Sequence, residues 1–180
     1  MYEVSEDSYL LRNTLRDQGV SGGTAIDVGT GSGVITRVLA ERFEKVIGVD
    51  IDEEAVAYCQ DRFDDTENVT VKHSDRFSDI TCENVDIITC NPPYLPSTAG
   101  EGNDLAIDGG ESGVEYTVAF LDEAKDYLDP SGTVYFVASD KADLERLHTY
   151  LDKSPYDYDR VSDTRYFFET LYVYKARLTP

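Results

Sequence analysis

Short apolar runs alternate with amphipathic segments along most of the chain. The apolar runs predict strands at 24–28, 45–52, 68–75, from 84 to the sequence NPPY, at 132–139, and at about 156–163 and 167–177. Apolar residues at helical spacing predict helices at 5–18, 34–43, 53–63, 113–128 and 141–153. This alternation predicts an α/β fold, with a mostly parallel sheet and helices on both faces.

The last two predicted strands have no helix between them. The simplest arrangement is a hairpin, which places one antiparallel strand in an otherwise parallel sheet. This pattern resembles the Rossmann-like fold of the class I S-adenosylmethionine-dependent methyltransferases, in which a seven-stranded sheet has its last strand reversed. We therefore expect a single methyltransferase domain over residues 1–180.

A glycine-rich turn follows the first predicted strand. The sequence DVGTGSG places Gly29, Gly31 and Gly33 before a helix, where glycines permit a tight turn and close approach to a ligand. Asp50 ends the second strand, where a carboxylate can accept both hydroxyls of a ribose. Asp27 precedes the turn, where it would repel a pyrophosphate but could meet the ammonium group of a methionine-like ligand. These details favour S-adenosylmethionine over a dinucleotide, although dinucleotide-binding folds share such turns.

Further residues extend the predicted cofactor site. Asp75 follows the third strand in the sequence HSDRF, where an acid would suit the amino group of adenine. Arg76, Ile51 and Asn91 complete this set of predicted cofactor-binding residues.

The sequence NPPY ends the fourth predicted strand. Ligands of open α/β sheets bind beyond the carboxyl ends of the strands, so Asn91, Pro92, Pro93 and Tyr94 are the predicted catalytic residues. Asn91 can offer an oxygen acceptor, and the prolines hold the intervening carbonyls at fixed angles. Two acceptors and the face of Tyr94 suit a planar –NH2 group. Hydrogen bonds accepted from that group would turn the nitrogen lone pair toward an incoming methyl group and stabilise the growing positive charge.

Together these segments resemble the HemK family of protein glutamine methyltransferases. YEVSEDSYLL is similar to that family's N-terminal signature, and NPPY matches its transfer motif. IDGGESGVEYTVAFLDEA resembles its Gly-Gly segment and following helix, and RYFFETLYVYK resembles its final strand. Val4 replaces the family's proline, and Ile107 stands near the place of a tryptophan that this chain lacks. With no room for the helical domain that bacterial members carry, the chain resembles the short archaeal and eukaryotic branch.

The resemblance implies a substrate, a cofactor and a partner. The methyl donor is S-adenosylmethionine, the product is S-adenosylhomocysteine, and the acceptor is the glutamine amide in the Gly-Gly-Gln loop of a class I release factor. A small zinc-binding activator protein is implied as the second subunit of a heterodimer, and the third strand, Val69–His73, is the expected docking edge. Residues 1–20 would form a helical segment over the cofactor, with Ser8 against it.

Charge and cysteine content limit the other partners. The formal charge is −20, from 36 acidic and 16 basic residues, which repels phosphate backbones and predicts no direct nucleic-acid binding. An acidic surface poor in lysine resembles proteins adapted to concentrated salt in the cytoplasm. Without a membrane-length apolar run or a leader-like N-terminus, we expect a cytoplasmic protein that does not bind membranes. Cys59, Cys82 and Cys90 lack metal-ligand spacing, so no metal is predicted.

Three other functions fit parts of the pattern. Exocyclic amines of adenine and guanine are also planar –NH2 groups, and enzymes that methylate them use related Asn-Pro-Pro-aromatic motifs, usually with a basic patch. Protein lysine is a second alternative acceptor. A non-catalytic, cofactor-binding partner subunit is the third. The motif alone does not distinguish an amide from a base amine.

Overall fold

One sheet of seven strands organises the computed structural model, which describes residues 6–96 and 109–179. The strands are β1 (Gly22–Val28), β2 (Phe43–Asp50), β3 (Val69–His73), β4 (Val85–Cys90), β5 (Leu128–Ser139), β6 (Tyr156–Arg165) and β7 (Thr170–Leu178). The helices are α1 (Glu6–Asp17), α2 (Val34–Ala40), α3 (Glu53–Arg62), α4 (Glu115–Ala124) and α5 (Leu144–Leu151).

The strand order is β3-β2-β1-β4-β5-β7-β6. The pairs from β3 through β5 are parallel, whereas β7 is antiparallel to both of its neighbours, β5 and β6. The predicted fold is therefore confirmed, including the reversed last strand and the hairpin that forms it. The prediction that the third strand lies at an edge is also confirmed.

Helices pack on both faces of the sheet because successive strand residues point to opposite sides. On one face, Ile26 and Ile88 belong to the apolar cluster that includes Phe120 of α4 and Leu147 of α5. On the other face, Ala25, Ile87 and Tyr135 pack with residues of α1 and α2, among them Leu11, Leu15, Val38 and Leu39. The central strands are therefore buried on both sides, as their nearly continuous apolar runs predicted.

Several predicted boundaries differ from the structure by up to four residues, and two of these differences have a clear physical reason. The sequence DPSG, which directly follows the predicted helix at 113–128, lies within β5, where the register against β4 shifts between Val85 and Ile87. Asp129 accepts hydrogen bonds from the backbone and hydroxyl of Ser131, so a local turn is accommodated as an irregularity inside the strand. Helix α2 ends at Ala40 rather than 43, because Phe43 is buried as the first residue of β2.

The described helices include none that is long and apolar enough to cross a membrane. Within residues 6–96 and 109–179, no group of three or more His, Cys, Asp or Glu side chains is arranged to hold a metal ion. The five N-terminal residues, Ile107 and the 97–108 portion of the predicted loop lie outside the described residues.

Candidate active site

The glycine-rich turn between β1 and α2 borders open space. Gly29, Gly31 and Gly33 have φ values of 76°, 47° and 75°, in the left-handed region that favours glycine. A Cβ atom at Gly29 would meet nothing within 4 Å, and one at Gly31 only a backbone oxygen at 4.0 Å. The first two glycines can therefore receive a ligand, whereas a Cβ atom at Gly33 would lie 2.8 Å from the ring of Phe63. The third glycine thus allows close packing of α2.

Asp50 lies at the carboxyl end of β2, beside the same turn. Its Oδ2 accepts a hydrogen bond from the Gly31 N–H at 2.8 Å, and its Oδ1 accepts one from the Asp52 N–H at 2.9 Å. An ionised carboxylate has about four lone-pair sites, so both oxygens can still accept hydrogen bonds from ribose hydroxyls. The neighbouring Ile51 side chain is 47% exposed and adds apolar surface at this place.

Asp27 lies beneath the turn and is only 1% exposed. The Thr36 hydroxyl donates to its Oδ2 at 2.6 Å, and the Thr89 hydroxyl donates to its Oδ1 at 2.9 Å. Burial raises the pKa of Asp27 to about 6, even though these hydrogen bonds favour the carboxylate. Asp27 thus joins β1 to α2 and to β4, and its contact with an ammonium group stays a prediction.

Asp75 and Arg76 lie in the turn after β3. The Arg76 Nε donates to Glu123 of α4 at 2.8 Å, and an Arg76 terminal nitrogen lies 3.2 Å from Asp75. The guanidinium also lies 5.6 Å from the centre of the Tyr116 ring. Arg76 therefore fixes this turn to α4 and positions the predicted adenine-binding acid.

Asn91, a predicted catalytic residue, lies directly after β4. Its Nδ2 donates to the Ser8 hydroxyl at 3.4 Å. Its Oδ1 is buried and has no hydrogen-bond partner among the described residues. A buried amide oxygen without a partner is costly, so it indicates a donor supplied by a ligand.

Tyr94 is held in position by a hydrogen bond to helix α1. Its hydroxyl donates to the Oδ2 of Asp7 at 3.3 Å, and the Oδ1 of Asp7 accepts hydrogen bonds from the backbone N–H and the hydroxyl of Ser8. Asp7 is buried in the first turn of α1, where the helix dipole favours a carboxylate. The sequence prediction did not include Asp7, although it lies directly before Ser8 in the N-terminal signature.

The segment before α4 lies on the backbone of the NPPY motif. The Gly109 N–H donates to the Leu95 carbonyl at 2.9 Å, and a Cβ atom at Gly109 would come within 2.8 Å of the Pro93 carbonyl oxygen. A Cβ atom at Gly113, whose φ is +78°, would collide with the Tyr94 carbonyl oxygen. These glycines are needed because the two backbones approach so closely. They are positioning residues that the sequence prediction did not select.

The structure brings the predicted residues to the carboxyl ends of the parallel strands. Three features fit the class I S-adenosylmethionine-dependent methyltransferases, whose cofactor is S-adenosylmethionine. They are the open glycine turn, Asp50 at the end of β2, where an acid can bind a ribose, and the Asn91 Oδ1, which has no partner among the described residues. The contacts with that cofactor stay predictions for the whole predicted set, which is Ser8, Asp27, Gly29, Gly31, Gly33, Asp50, Ile51, Asp75, Arg76 and Asn91.

The comparisons with known proteins identify the family. The chain belongs to the methyltransferase small domain family, whose model matches residues 2–168. A protein of Methanocaldococcus jannaschii, provisionally named a protein N5-glutamine methyltransferase, is 34% identical over 145 residues, which cover 77% of this chain and 72% of the relative. The predicted resemblance to protein glutamine methyltransferases is thus confirmed.

A solved structure agrees over nearly the whole chain. A chain of the E. cuniculi Mtq2–Trm112 complex, described as responsible for methylation of the translation termination factor eRF1, has a TM-score of 0.81 and 26% identity. The match covers 99% of this chain and 98% of that chain.

Other relatives match over part of their length. A tRNA1(Val) (adenine(37)-N6)-methyltransferase of Shewanella sediminis is 28% identical over 77% of this chain and 60% of the relative. Bacterial release factor glutamine methyltransferases also match. This chain spans 42% of the one from Geobacter sulfurreducens, with 29% identity over 59% of this chain.

Proposed function

We propose that this protein transfers a methyl group from S-adenosylmethionine to the side-chain amide nitrogen of a protein glutamine. The proposed acceptor is the glutamine in the Gly-Gly-Gln loop of a class I release factor. The observation that carries this proposal is the buried Asn91 Oδ1 without a partner among the described residues, at the carboxyl end of β4. Relatives named for glutamine methylation support the choice of acceptor.

Asn91 and the motif backbone would hold the acceptor amide. One amide N–H would donate to Asn91 Oδ1, and the other would donate to the Pro92 carbonyl oxygen. An amide nitrogen is a poor nucleophile because its lone pair is delocalised. Two hydrogen bonds would fix the –NH2 group, direct the lone pair to the methyl group and stabilise the charge that develops on nitrogen. The nitrogen would gain the methyl group, the methyl carbon–sulfur bond of the donor would break to leave S-adenosylhomocysteine, and one of these amide protons would be released to solvent.

S-Adenosylmethionine supplies the methyl group on a positively charged sulfonium. The proposed binding residues are Ser8, Asp27, Gly29, Gly31, Asp50, Ile51, Asp75, Arg76 and Asn91, whereas Gly33 would act by letting α2 pack closely. Pro93 would keep the Pro92 carbonyl in position through its fixed φ. Tyr94, anchored by Asp7 at 3.3 Å, would cover the plane of the acceptor amide.

A small zinc-binding activator is the proposed partner, in a heterodimer formed through β3. The support is the position of β3 at the edge of the sheet, where unpaired backbone groups can receive another strand. The similar E. cuniculi protein is described in a complex with Trm112. Co-expression and pull-down test this partner. A stable, fully active protein that the activator leaves unchanged would contradict it.

A base amine of tRNA is the second candidate acceptor. The Shewanella sediminis relative is named for transfer to adenine N6, and this amine has the same planar shape as an amide. The charge of −20 disfavours it because nucleic-acid phosphates would be repelled.

Labelling distinguishes these acceptors. Labelled methyl donor would be incubated with the protein, with and without the activator, and with release factor or with total RNA and DNA. We expect label in the release factor, and none after a Gln→Ala change in its Gly-Gly-Gln loop. Label in nucleic acid and not in protein would overturn the proposed function.

A further inference from the structure

Two phenylalanines project from the tip of the β6–β7 hairpin. Phe167 and Phe168 are 92% and 79% exposed, more than any other large apolar side chain among the described residues. Their rings meet edge to face, with centroids 4.6 Å apart. Single exposed apolar residues are common on protein surfaces, but two adjacent, almost fully exposed rings indicate an interaction site.

The hairpin tip lies on the side of the sheet where the parallel strands have their carboxyl ends, as does the candidate active site. Ser139 is the last residue of β5 and pairs with Leu171, just after the tip. Because β5 is parallel to β4, its carboxyl end lies on the same side of the sheet as the carboxyl end of β4, which Asn91 follows. Tyr166, directly before the two phenylalanines, packs into the same apolar cluster as Tyr94. The pair therefore lies on the side of the sheet where the strands that carry the candidate site have their carboxyl ends.

The tip is held in place by hydrogen bonds on both sides. The Tyr166 N–H donates to the Glu169 carbonyl at 2.8 Å, and the Asp140 N–H donates to the Thr170 carbonyl at 3.0 Å. The Ser139 hydroxyl donates to the Glu169 carboxylate at 3.0 Å. A fixed backbone lets aromatic rings bind a partner with little loss of conformational entropy, as aromatic anchors of interfaces do.

We propose that the pair Phe167 and Phe168 docks the folded protein that presents the acceptor glutamine, by entering an apolar pocket beside its acceptor loop. This inference rests on the proposed function. The position of the tip on the side where the carboxyl ends of β4 and β5 lie favours the substrate protein, because an activator bound at β3 would lie at the other end of the strand order.

The test compares a folded substrate with a short one. The probes are full-length class I release factor and a peptide that spans only its Gly-Gly-Gln loop. The variants are the double change Phe167→Ser with Phe168→Ser, and the matched pair Phe167→Leu with Phe168→Leu, which keeps apolar area. Tyr58→Ser, which removes an exposed aromatic ring of α3, is the control.

We expect the serine pair to raise KM for the release factor about tenfold or more, since burial of two rings contributes strongly to association. Its kcat, its peptide kinetics and its affinity for S-adenosylmethionine should stay at wild-type values. The leucine pair should retain most of the affinity, and Tyr58→Ser all of it. The dissociation constant of the factor measured with S-adenosylhomocysteine present should change by the same ratio as KM.

An unchanged KM and dissociation constant for the release factor in the serine pair would overturn the docking proposal. Equal losses with factor and peptide would also overturn it, as would loss of activator or nucleic-acid binding in place of release factor binding. The methylation activity of the wild-type protein tests the proposed function separately. If it methylates neither release factor nor peptide, that function fails, and the docking proposal fails with it.

Discussion

The Asn91 side chain is oriented by residues far away in the sequence. Its Nδ2 donates to Ser8, and Ser8 in turn donates to Asp7, which also accepts from Tyr94. This chain of hydrogen bonds fixes which end of the Asn91 amide is the acceptor and holds the Tyr94 ring. Asp7 is therefore a positioning residue for both Asn91 and Tyr94.

Asp7→Asn should lower kcat about tenfold, because a charged hydrogen-bond acceptor contributes about 1.5–3 kcal/mol. The dissociation constant for S-adenosylmethionine should change less than kcat, since the altered group touches Tyr94 and Ser8 rather than the glycine turn. Single-turnover kinetics and cofactor titration measure the two effects. Asp17→Asn, at the exposed end of α1, is the control. If the Asp7→Asn variant kept the wild-type kcat, the inference that Asp7 positions Asn91 and Tyr94 would be wrong.

Asp27 should make stability depend on pH. Its pKa of about 6 in the folded protein is above the value of about 4 in an unfolded chain, so folding favours the protonated form. Above about pH 6 the buried carboxylate therefore lowers the free energy of unfolding by about 3 kcal/mol, which corresponds to a shift of two pKa units. This destabilisation disappears as the pH falls toward 4, because the folded protein then binds the proton.

Asp27→Asn keeps the size of the side chain and should remove this dependence. Urea unfolding at pH 5 and pH 7.5 should show a gain in unfolding free energy for the variant that is larger at pH 7.5. Asp64→Asn, at an exposed position, is the control. An equal difference from wild type at the two pH values would show that Asp27 is not titrating as inferred.

The sequence predicted the site residues that lie within short motifs. Gly29, Asp50 and Asn91 each lie at the carboxyl end of a parallel strand, so strand order alone brings them together. Asp7 could not be selected in this way. Its burial depends on packing of α1 near Tyr94, 87 residues away in the sequence, and only its place before Ser8 offered a signal.

The segment before α4 and the NPPY motif support each other. Gly109 and Gly113 bring this segment against the Pro93 and Tyr94 carbonyls, so the position of the motif depends on a second element. Gly19 offers a comparison, because its φ of +63° is also left-handed but a Cβ atom there would meet nothing within 4 Å.

Gly113→Ala should therefore cost more than Gly19→Ala. Both changes introduce the left-handed penalty of about 1–2 kcal/mol, but only Gly113→Ala must displace the Tyr94 backbone. We expect Gly113→Ala to lower kcat at least about tenfold and Gly19→Ala to leave it unchanged. Steady-state kinetics and urea unfolding of the two variants measure this, and equal kcat values would contradict the dependence of the motif on this segment.

The elements themselves were predictable where periodicity was strong. All seven strands and five helices appear in the predicted order, because buried strands have nearly continuous apolar runs and the helices have one apolar face. The start of β5 was predicted at 132 instead of Leu128 because the pairing of β5 with β4 continues past the irregularity there. Such pairing depends on a strand more than 30 residues away, and local turn residues do not encode it.

The charge of −20 is spread over a chain of 180 residues. Repulsion of this size should destabilise the fold at low salt, and salt should screen it, since the Debye length is about 10 Å at 0.1 M and 3 Å at 1 M. We expect the Tm at pH 7 to rise as KCl is raised from about 0.1 M to about 2 M. Near the sequence pI of about 4.2 the rise should largely vanish. An equal rise at both pH values would contradict the electrostatic explanation.

The arrangement of sheet, turn and NPPY motif leads to one central claim: Asn91 holds a glutamine amide for methylation. The most direct measurement is mass spectrometric mapping of the methyl group on release factor treated with wild-type protein or with Asn91→Ala, together with cofactor titration of both. We predict methylation at the glutamine side chain with wild type, a loss of at least about a hundredfold in rate with Asn91→Ala, and only modestly weaker cofactor binding. Full turnover by Asn91→Ala, or a methyl group on another residue, would contradict the claim.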